Sequence, residues 1–112
     1  MVRNSIEWPA EWPRTLSSDR KTNSGFRVTL AKAFNDIEKQ LERLDADGFE
    51  YGFDAEQRKK DARPYRRADP DDPAFVLQWR KDGDAYAVGC DRYSRLRDNV
   101  RTVYLWFHET RM

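Results

Sequence analysis

Residues able to carry covalent chemistry are scarce in this sequence, which holds one cysteine, Cys90, and one histidine, His108. A nucleophilic site needs its base within hydrogen-bonding reach of the nucleophile. Cys90 instead ends a segment of alternating apolar residues, a position typical of a buried structural thiol. We therefore predict no catalytic residues and a non-enzymatic protein.

Two polar pairs, Asp91-Arg92 and Asp98-Asn99, suggest a second kind of chemistry. Acidic groups near the start of a helix are stabilised by its dipole, so we interpret these pairs as caps and connections. The functional alternative is a polar site in which Arg92 and Arg95 grip a carboxylate or phosphate. A Mg²⁺ site is a weaker alternative and would use the carboxylates of Asp54, Asp91 and Asp98. Because no glycine-rich phosphate loop is present either, we expect no cofactor and no metal.

Residues 55–73 form a long charged loop in which basic side chains surround Tyr65 and an acidic run follows. Lysine and arginine neutralise phosphates, and an exposed aromatic ring stacks on a base. This pattern predicts, as an alternative function, a nucleic-acid site made of Arg58, Lys59, Lys60, Arg63, Tyr65, Arg66 and Arg67. Four later arginines extend the same surface, namely Arg92, Arg95, Arg97 and Arg101.

An N-terminal arm, residues 1–25, contains Trp8-Pro9 and Trp12-Pro13. Proline fixes its own φ and keeps the preceding residue extended, so both tryptophans lie on a stiff segment. They either pin the arm across the domain's own core or act as exposed anchors, since tryptophan is enriched at binding hot spots. In the second case the partner-binding residues are Trp8, Trp12, Arg14 and Arg92.

The elements that position these residues centre on Phe75–Tyr93, which predicts a β-hairpin closing at Asp82-Gly83. Because side chains alternate along a strand, pairing the arms about this turn defines two faces. One face is aromatic and apolar, with the pairs Phe75/Cys90, Leu77/Val88 and Trp79/Tyr86. The other is small and half-polar, with the pairs Val76/Gly89, Gln78/Ala87 and Arg80/Ala85.

Apolar residues three or four apart predict a helix from about Thr29 to Leu44, with Thr29 as its cap. Its stripe consists of Phe26, Leu30, Phe34, Ile37, Leu41 and Leu44. We expect Gly48 to supply the left-handed or turn conformation after the helix. Alternation at Phe49, Tyr51 and Phe53 then predicts a short strand.

A last helix is predicted from a cap at Ser94 to about Thr110, because Leu96, Val100, Val103 and Phe107 have helical spacing. Residues 102–107 are β-branched and aromatic, so locally they fit a strand as well. The predicted fold class is α+β, a three-stranded antiparallel sheet packed against two helices in the order α-β-β-β-α.

Composition is consistent with a single small domain of 112 residues. Charged residues make up 37%, but a 13% aromatic content argues against disorder. The net charge of +1 favours neither nucleic acid nor a cationic partner. A lone cysteine excludes an intramolecular disulfide, and no secretory signal or apolar run of about 20 residues is present. We expect a soluble cytoplasmic protein with no membrane partner.

Three motifs occur in order: WPxxWPRT at 8–15, PDDP at 70–73, and CDRYSRLRDNVR from Cys90. Together they resemble a family of small proteins from phages and other mobile elements, described as J-domain-containing or J-like chaperones. The resemblance covers roughly residues 8–103 and implies a helix after Asp98-Asn99. In that family a separate J domain follows and needs a His-Pro-Asp triplet. His108 is followed by Glu109, and the chain stops where that domain would begin, so we do not expect chaperone activity.

We therefore predict a non-enzymatic protein-interaction module. The resemblance implies a phage or mobile-element accessory protein that binds an unidentified host complex, such as a defence system, and inhibits it. The alternative is a nucleic-acid-binding domain that uses the basic loop 58–67.

Overall fold

The computed structural model describes residues 8–22 and 28–110. A single turn of 3-10 helix, Ser17–Asp19, precedes the main elements. These are α1 (Leu30–Leu44), β1 (Gly48–Gly52), β2 (Phe75–Lys81), β3 (Asp84–Cys90) and α2 (Leu96–Thr110). The three strands form one antiparallel sheet in the order β1-β2-β3. The predicted α+β class and the order α-β-β-β-α are confirmed.

The β2–β3 hairpin has the register that the alternating pattern predicts. Trp79 lies opposite Tyr86, and Phe75 lies opposite Cys90. Asp82 and Gly83 turn the chain with φ values of 53° and 83°. Positive φ at both central residues is what a tight two-residue turn needs to match the twist of its strands.

Both helices cover the aromatic face of this sheet. The Phe34 ring of α1 lies 4.9 Å from Tyr51 and 5.5 Å from Phe75, measured between ring centroids. The Phe107 ring of α2 lies 4.7 Å from Trp79. The predicted stripe of α1 is buried at Leu30, Phe34, Ile37, Leu41 and Leu44. Its first member, Phe26, lies outside the described residues.

The ends of α1 bear out one expectation and correct another. The Thr29 hydroxyl accepts from the Lys32 N–H at 3.1 Å, so Thr29 is the cap. The expectation that Gly48 supplies the left-handed conformation was wrong, because Asp45 does so with φ 61°. The short side chain of aspartate tolerates this conformation. The chain therefore turns earlier, and Gly48 begins β1 opposite Arg80.

Residues 102–107 belong to α2, so the helical alternative is the correct one. Val103 and Phe107 are buried against the rest of the core, which outweighs the local strand preference of β-branched and aromatic residues. The Thr102 hydroxyl donates to the Asp98 carbonyl one turn earlier at 2.8 Å. In the part of the chain that the structure describes, no helix is long and apolar enough to cross a membrane.

Candidate functional site

The Trp-Pro arm lies across the small, half-polar face of the sheet, which is the face that includes Gly89. The rings of Trp8 and Trp12 meet edge to face with centroids 5.6 Å apart, and the Trp8 indole donates to the Trp12 carbonyl at 3.2 Å. A Cβ at Gly89 would lie 3.0 Å from the Trp12 ring and 3.1 Å from the Trp8 ring. Both rings are half-buried. The absence of a side chain at Gly89 therefore leaves the space in which the arm packs.

Asp91 fastens the arm to the end of β3. Its carboxylate accepts from Arg14 Nε, from the Thr15 N–H and from the Thr15 hydroxyl, each at 2.8 Å. Arg14 also donates to Asp72 at 2.7 Å, and Arg20 donates to the Asp91 carbonyl at 3.0 Å. Asp91 thus accepts from the arm and does not cap α2, which corrects the capping interpretation at this residue.

Two ionisable groups of this network have shifted pKa values. Burial opposes ionisation of Asp91, but the hydrogen bonds from Thr15 and Arg14 outweigh it and hold the carboxyl pKa below its usual value. Burial likewise works against the charged form of Arg14, yet the hydrogen bonds to Asp72 and Asp91 raise the guanidinium pKa. Both groups therefore stay charged at neutral pH.

Asn99 joins two further parts of the chain. Its amide nitrogen donates to the carbonyls of Pro73 and Tyr93 at 2.7 Å and 3.1 Å. Its oxygen accepts from the Tyr93 N–H at 3.0 Å and from Cys90 Sγ at 3.3 Å. Asn99 is fully buried. Residues from all three motifs of the family resemblance therefore make contacts that hold the fold together.

Cys90 and His108 occupy unrelated environments. Burial raises the pKa of the Cys90 thiol, which keeps it protonated and unreactive at neutral pH. The exposed His108 ring stacks on Tyr104, with centroids 5.7 Å apart. Within residues 8–22 and 28–110, no group of three histidine, cysteine, aspartate or glutamate side chains is placed to hold a metal ion.

Two arginines of the basic loop are engaged in ion pairs. Arg63 binds Glu38 of α1 through Nη2 at 2.8 Å and Nε at 2.9 Å, and this hydrogen bonding raises its pKa. The Tyr51 hydroxyl donates to the same carboxylate at 2.6 Å. Arg58 pairs with Asp61 at 3.1 Å. The Arg63 contacts fasten the loop to α1, and the Arg58 pair lies within the loop, so both arginines serve the fold.

Other arginines of the loop and helix converge on one cavity of about 640 Å³, which we call the arginine cleft. The loop supplies Arg66 and Arg67, and the start of α2 supplies Arg95 and Arg97. The beginning of α1, at Thr29, forms another part of the wall. The structure therefore brings together two arginines predicted from the loop and two from the helix, which are separate in sequence.

Three of these arginines, Arg66, Arg67 and Arg95, are exposed and form no side-chain ion pair or hydrogen bond with any described residue. Arg97 Nε is buried without a hydrogen-bond partner in the same part of the chain, and lies 3.8 Å from the Asp98 carboxylate. Most of the guanidinium donors in the cleft are therefore available to an anion.

The remaining predicted site residues lie outside the cleft. Lys59 and Lys60 are exposed elsewhere on the loop, and Arg92 is exposed beyond β3. Arg101 binds Asp36 at 2.9 Å and is occupied within the helix pair. The Tyr65 ring, 49% exposed, precedes the two loop arginines directly.

A second exposed feature lies at the turn end of the sheet, which we call the aromatic end. Phe49 and Tyr86 are exposed there on either side of the buried Trp79, and the exposed Trp106 meets Phe107 edge to face with ring centroids 5.5 Å apart. The Tyr86 ring stacks on Trp79 with centroids 5.4 Å apart. The Trp79 indole N–H is buried and has no hydrogen-bond partner among the described residues.

No protein-family model matches this chain, and neither the comparison with curated proteins nor that with solved structures finds a match.

Proposed function

We propose that this protein binds nucleic acid without catalysing a reaction and that the arginine cleft contacts its phosphates. The proposal rests on one observation: four arginines from two separate segments line one cavity, and three of them have no ionic partner among the described residues. Guanidinium groups bind phosphate oxygens through paired hydrogen bonds, so such a cluster is suited to a phosphate-bearing ligand.

Tyr65 supports nucleic acid as the source of that phosphate. Tyr65 is half-exposed and directly precedes Arg66 in the chain, so its ring is available to stack on a base of a strand that reaches the cleft. The net charge of +1 provides little long-range attraction, so binding depends on these local contacts. We therefore expect modest affinity, about 10⁻⁴ to 10⁻⁶ M at physiological salt, as for non-specific binding.

The test is fluorescence anisotropy with labelled single- and double-stranded DNA and RNA, titrated across salt concentration. We expect binding that weakens as salt rises. The Arg66→Gln/Arg67→Gln variant should weaken it further. The plot of log binding constant against log salt concentration should become less steep for this variant. The slope should change by about 0.7 for each phosphate of a single strand that the variant no longer neutralises.

Lys59→Gln/Lys60→Gln is the matched control, because it removes the same charge from the same loop outside the cleft. It should bind nearly as well as the wild type. Equally weakened binding by the two variants would show that only overall charge matters, and no binding at low salt would refute the proposal.

A second candidate, the protein-interaction module, is favoured by the aromatic end. Exposed aromatic side chains are typical anchors of protein interfaces. In this candidate the partner is a protein complex of the host, as the family resemblance implies, and the contact lies at Phe49 and Tyr86. The sequence-based alternative places it instead at Trp8, Trp12, Arg14 and Arg92.

Affinity capture from host-cell lysate separates these surfaces. A partner that binds the aromatic end should no longer be captured by Phe49→Ser/Tyr86→Ser. It should still be captured by Leu16→Ser, which removes an exposed apolar side chain from the arm. If Arg92→Gln loses the partner while the other two variants still capture it, the contact lies near the arm instead. If the wild-type protein captures no specific partner, the candidate is contradicted.

A further inference from the structure

We infer that the arginine cleft recognises the terminal phosphomonoester of a single-stranded nucleic acid in preference to the phosphodiesters within the strand. This inference rests on the proposed function and specifies which phosphate the cleft takes. The ligand is a dianionic phosphate at the end of a strand, with its terminal base beside Tyr65.

The charges in the cleft favour a phosphomonoester. The lining residues of the cleft include four arginines and one carboxylate, Asp69, and the buried Asp98 carboxylate lies 3.8 Å from Arg97 Nε, so positive charge remains in excess. A phosphodiester carries a single negative charge and has two unbridged oxygens. A phosphomonoester carries close to two charges at neutral pH and has three strong acceptor oxygens. The monoester therefore uses more of the converging donors of Arg66, Arg67, Arg95 and Arg97.

The surroundings of the cleft disfavour a strand that continues past it. After Arg67 the loop becomes acidic. Asp69 lies in the cleft wall, and the exposed Asp71 follows two residues later. A strand that continued past the cleft in this direction would bring its next phosphate towards these carboxylates. Positive charge concentrated at one place suits one strongly charged group better than a long backbone.

The exposed Tyr65 ring favours an unpaired terminal base. Tyr65 is 49% exposed and directly precedes Arg66 and Arg67 in the loop. An unpaired terminal base can stack on this ring, whereas a base within a duplex is already stacked and paired. The start of α1 at Thr29 and the start of α2 at Leu96 also line the cleft, so the helix dipoles add to the field of the arginines.

The experiment measures anisotropy for short single strands of one sequence with an internal fluorophore. The strands carry a phosphate at the 5′ end, at the 3′ end or at neither. We expect at least one phosphorylated strand to bind about tenfold more tightly than the unphosphorylated strand, as for one added charge-assisted contact. Arg95→Gln/Arg97→Gln should abolish this preference, and Lys59→Gln/Lys60→Gln should retain it.

The outcomes separate this inference from the proposed function. Equal binding of all three strands, still sensitive to salt and to the cleft variant, would overturn the inference and leave the function standing. No binding of any strand would overturn both. Displacement by a nucleoside monophosphate with the affinity of the strand itself would show a small-molecule site and also overturn the inference. If circular dichroism shows that Arg95→Gln/Arg97→Gln does not fold, Arg66→Gln/Arg67→Gln in the loop provides the same test.

Discussion

Asp91 is the residue on which the attachment of the N-terminal arm depends. Its carboxylate is almost fully buried, and its two oxygens accept three hydrogen bonds from Arg14 and Thr15. Removing the charge leaves the Arg14 guanidinium with Asp72 as its remaining ionic partner. The strength of the arm's attachment is therefore measurable by a single substitution.

We predict that Asp91→Asn lowers the free energy of unfolding at neutral pH by about 1.5–3 kcal/mol, the range for hydrogen bonds to a charged group. Urea denaturation followed by circular dichroism measures this change. Asp71→Asn is the matched control, because Asp71 is exposed and has no ionic partner among the described residues. Equal effects of the two substitutions would show that Asp91 does not hold the arm.

The pH dependence of stability gives a second prediction for Asp91. Its folded pKa lies below the value of 3.8 for the free group, so its carboxylate stabilises the fold above that pH. The contribution disappears as the pH falls through the lowered folded pKa. The difference in unfolding free energy between wild type and Asp91→Asn should therefore shrink on acidification from about pH 7 to about pH 3. A constant difference over this range would contradict the ionic account.

The network around Asp91 could not be predicted from the sequence, although its members stand in recognisable motifs. Arg14 and Asp91 are 77 positions apart, and no local periodicity relates them. The left-handed residue after α1 was misassigned for a different reason. Glycine has the stronger general preference for that conformation, but the observed turn uses Asp45.

At the level of elements, the sequence was most informative where one face of a strand or helix is buried. The two-residue alternation determined the β2–β3 register, because a one-residue slip would expose Trp79 and Phe75. The stripe of α1 predicted its buried face. The arm and the long loop have no such period. Their positions follow from single contacts, such as Arg63 with Glu38, that only the folded chain brings together.

The packing of the arm leads to a prediction for Trp12. Because its half-buried ring rests on Gly89, Trp12→Ala should lower the free energy of unfolding by about 2 kcal/mol, less than the cost of removing a fully buried tryptophan. Leu16→Ala, at a side chain of the arm that is 67% exposed, should change it little. Chemical denaturation measures both variants. Unchanged stability of Trp12→Ala would mean that the arm is not packed and that its tryptophans are free to bind a partner.

Considered as a whole, the molecule combines a small net charge with a strongly uneven distribution of that charge. Half of the arginines in the described part of the chain form ion pairs, as Arg14 does with Asp91, Arg63 with Glu38 and Arg101 with Asp36. Three of the unpaired arginines, Arg66, Arg67 and Arg95, lie together where the loop meets the starts of both helices. Composition conceals this arrangement, since a charge of +1 suggests no polyanion partner. The cleft depends on tertiary structure.

The most direct test of the arginine cleft is an NMR titration with a single-stranded oligonucleotide, in which backbone amide and side-chain N–H signals are followed. We predict that the largest shifts fall on the cleft, at Ala68, Asp69, Arg95 and Arg97, while the indole N–H signals of Trp8 and Trp79 stay in place. Shifts confined to the two indoles, or no shifts at a concentration that saturates modest binding, would contradict the assignment of the cleft as the functional site.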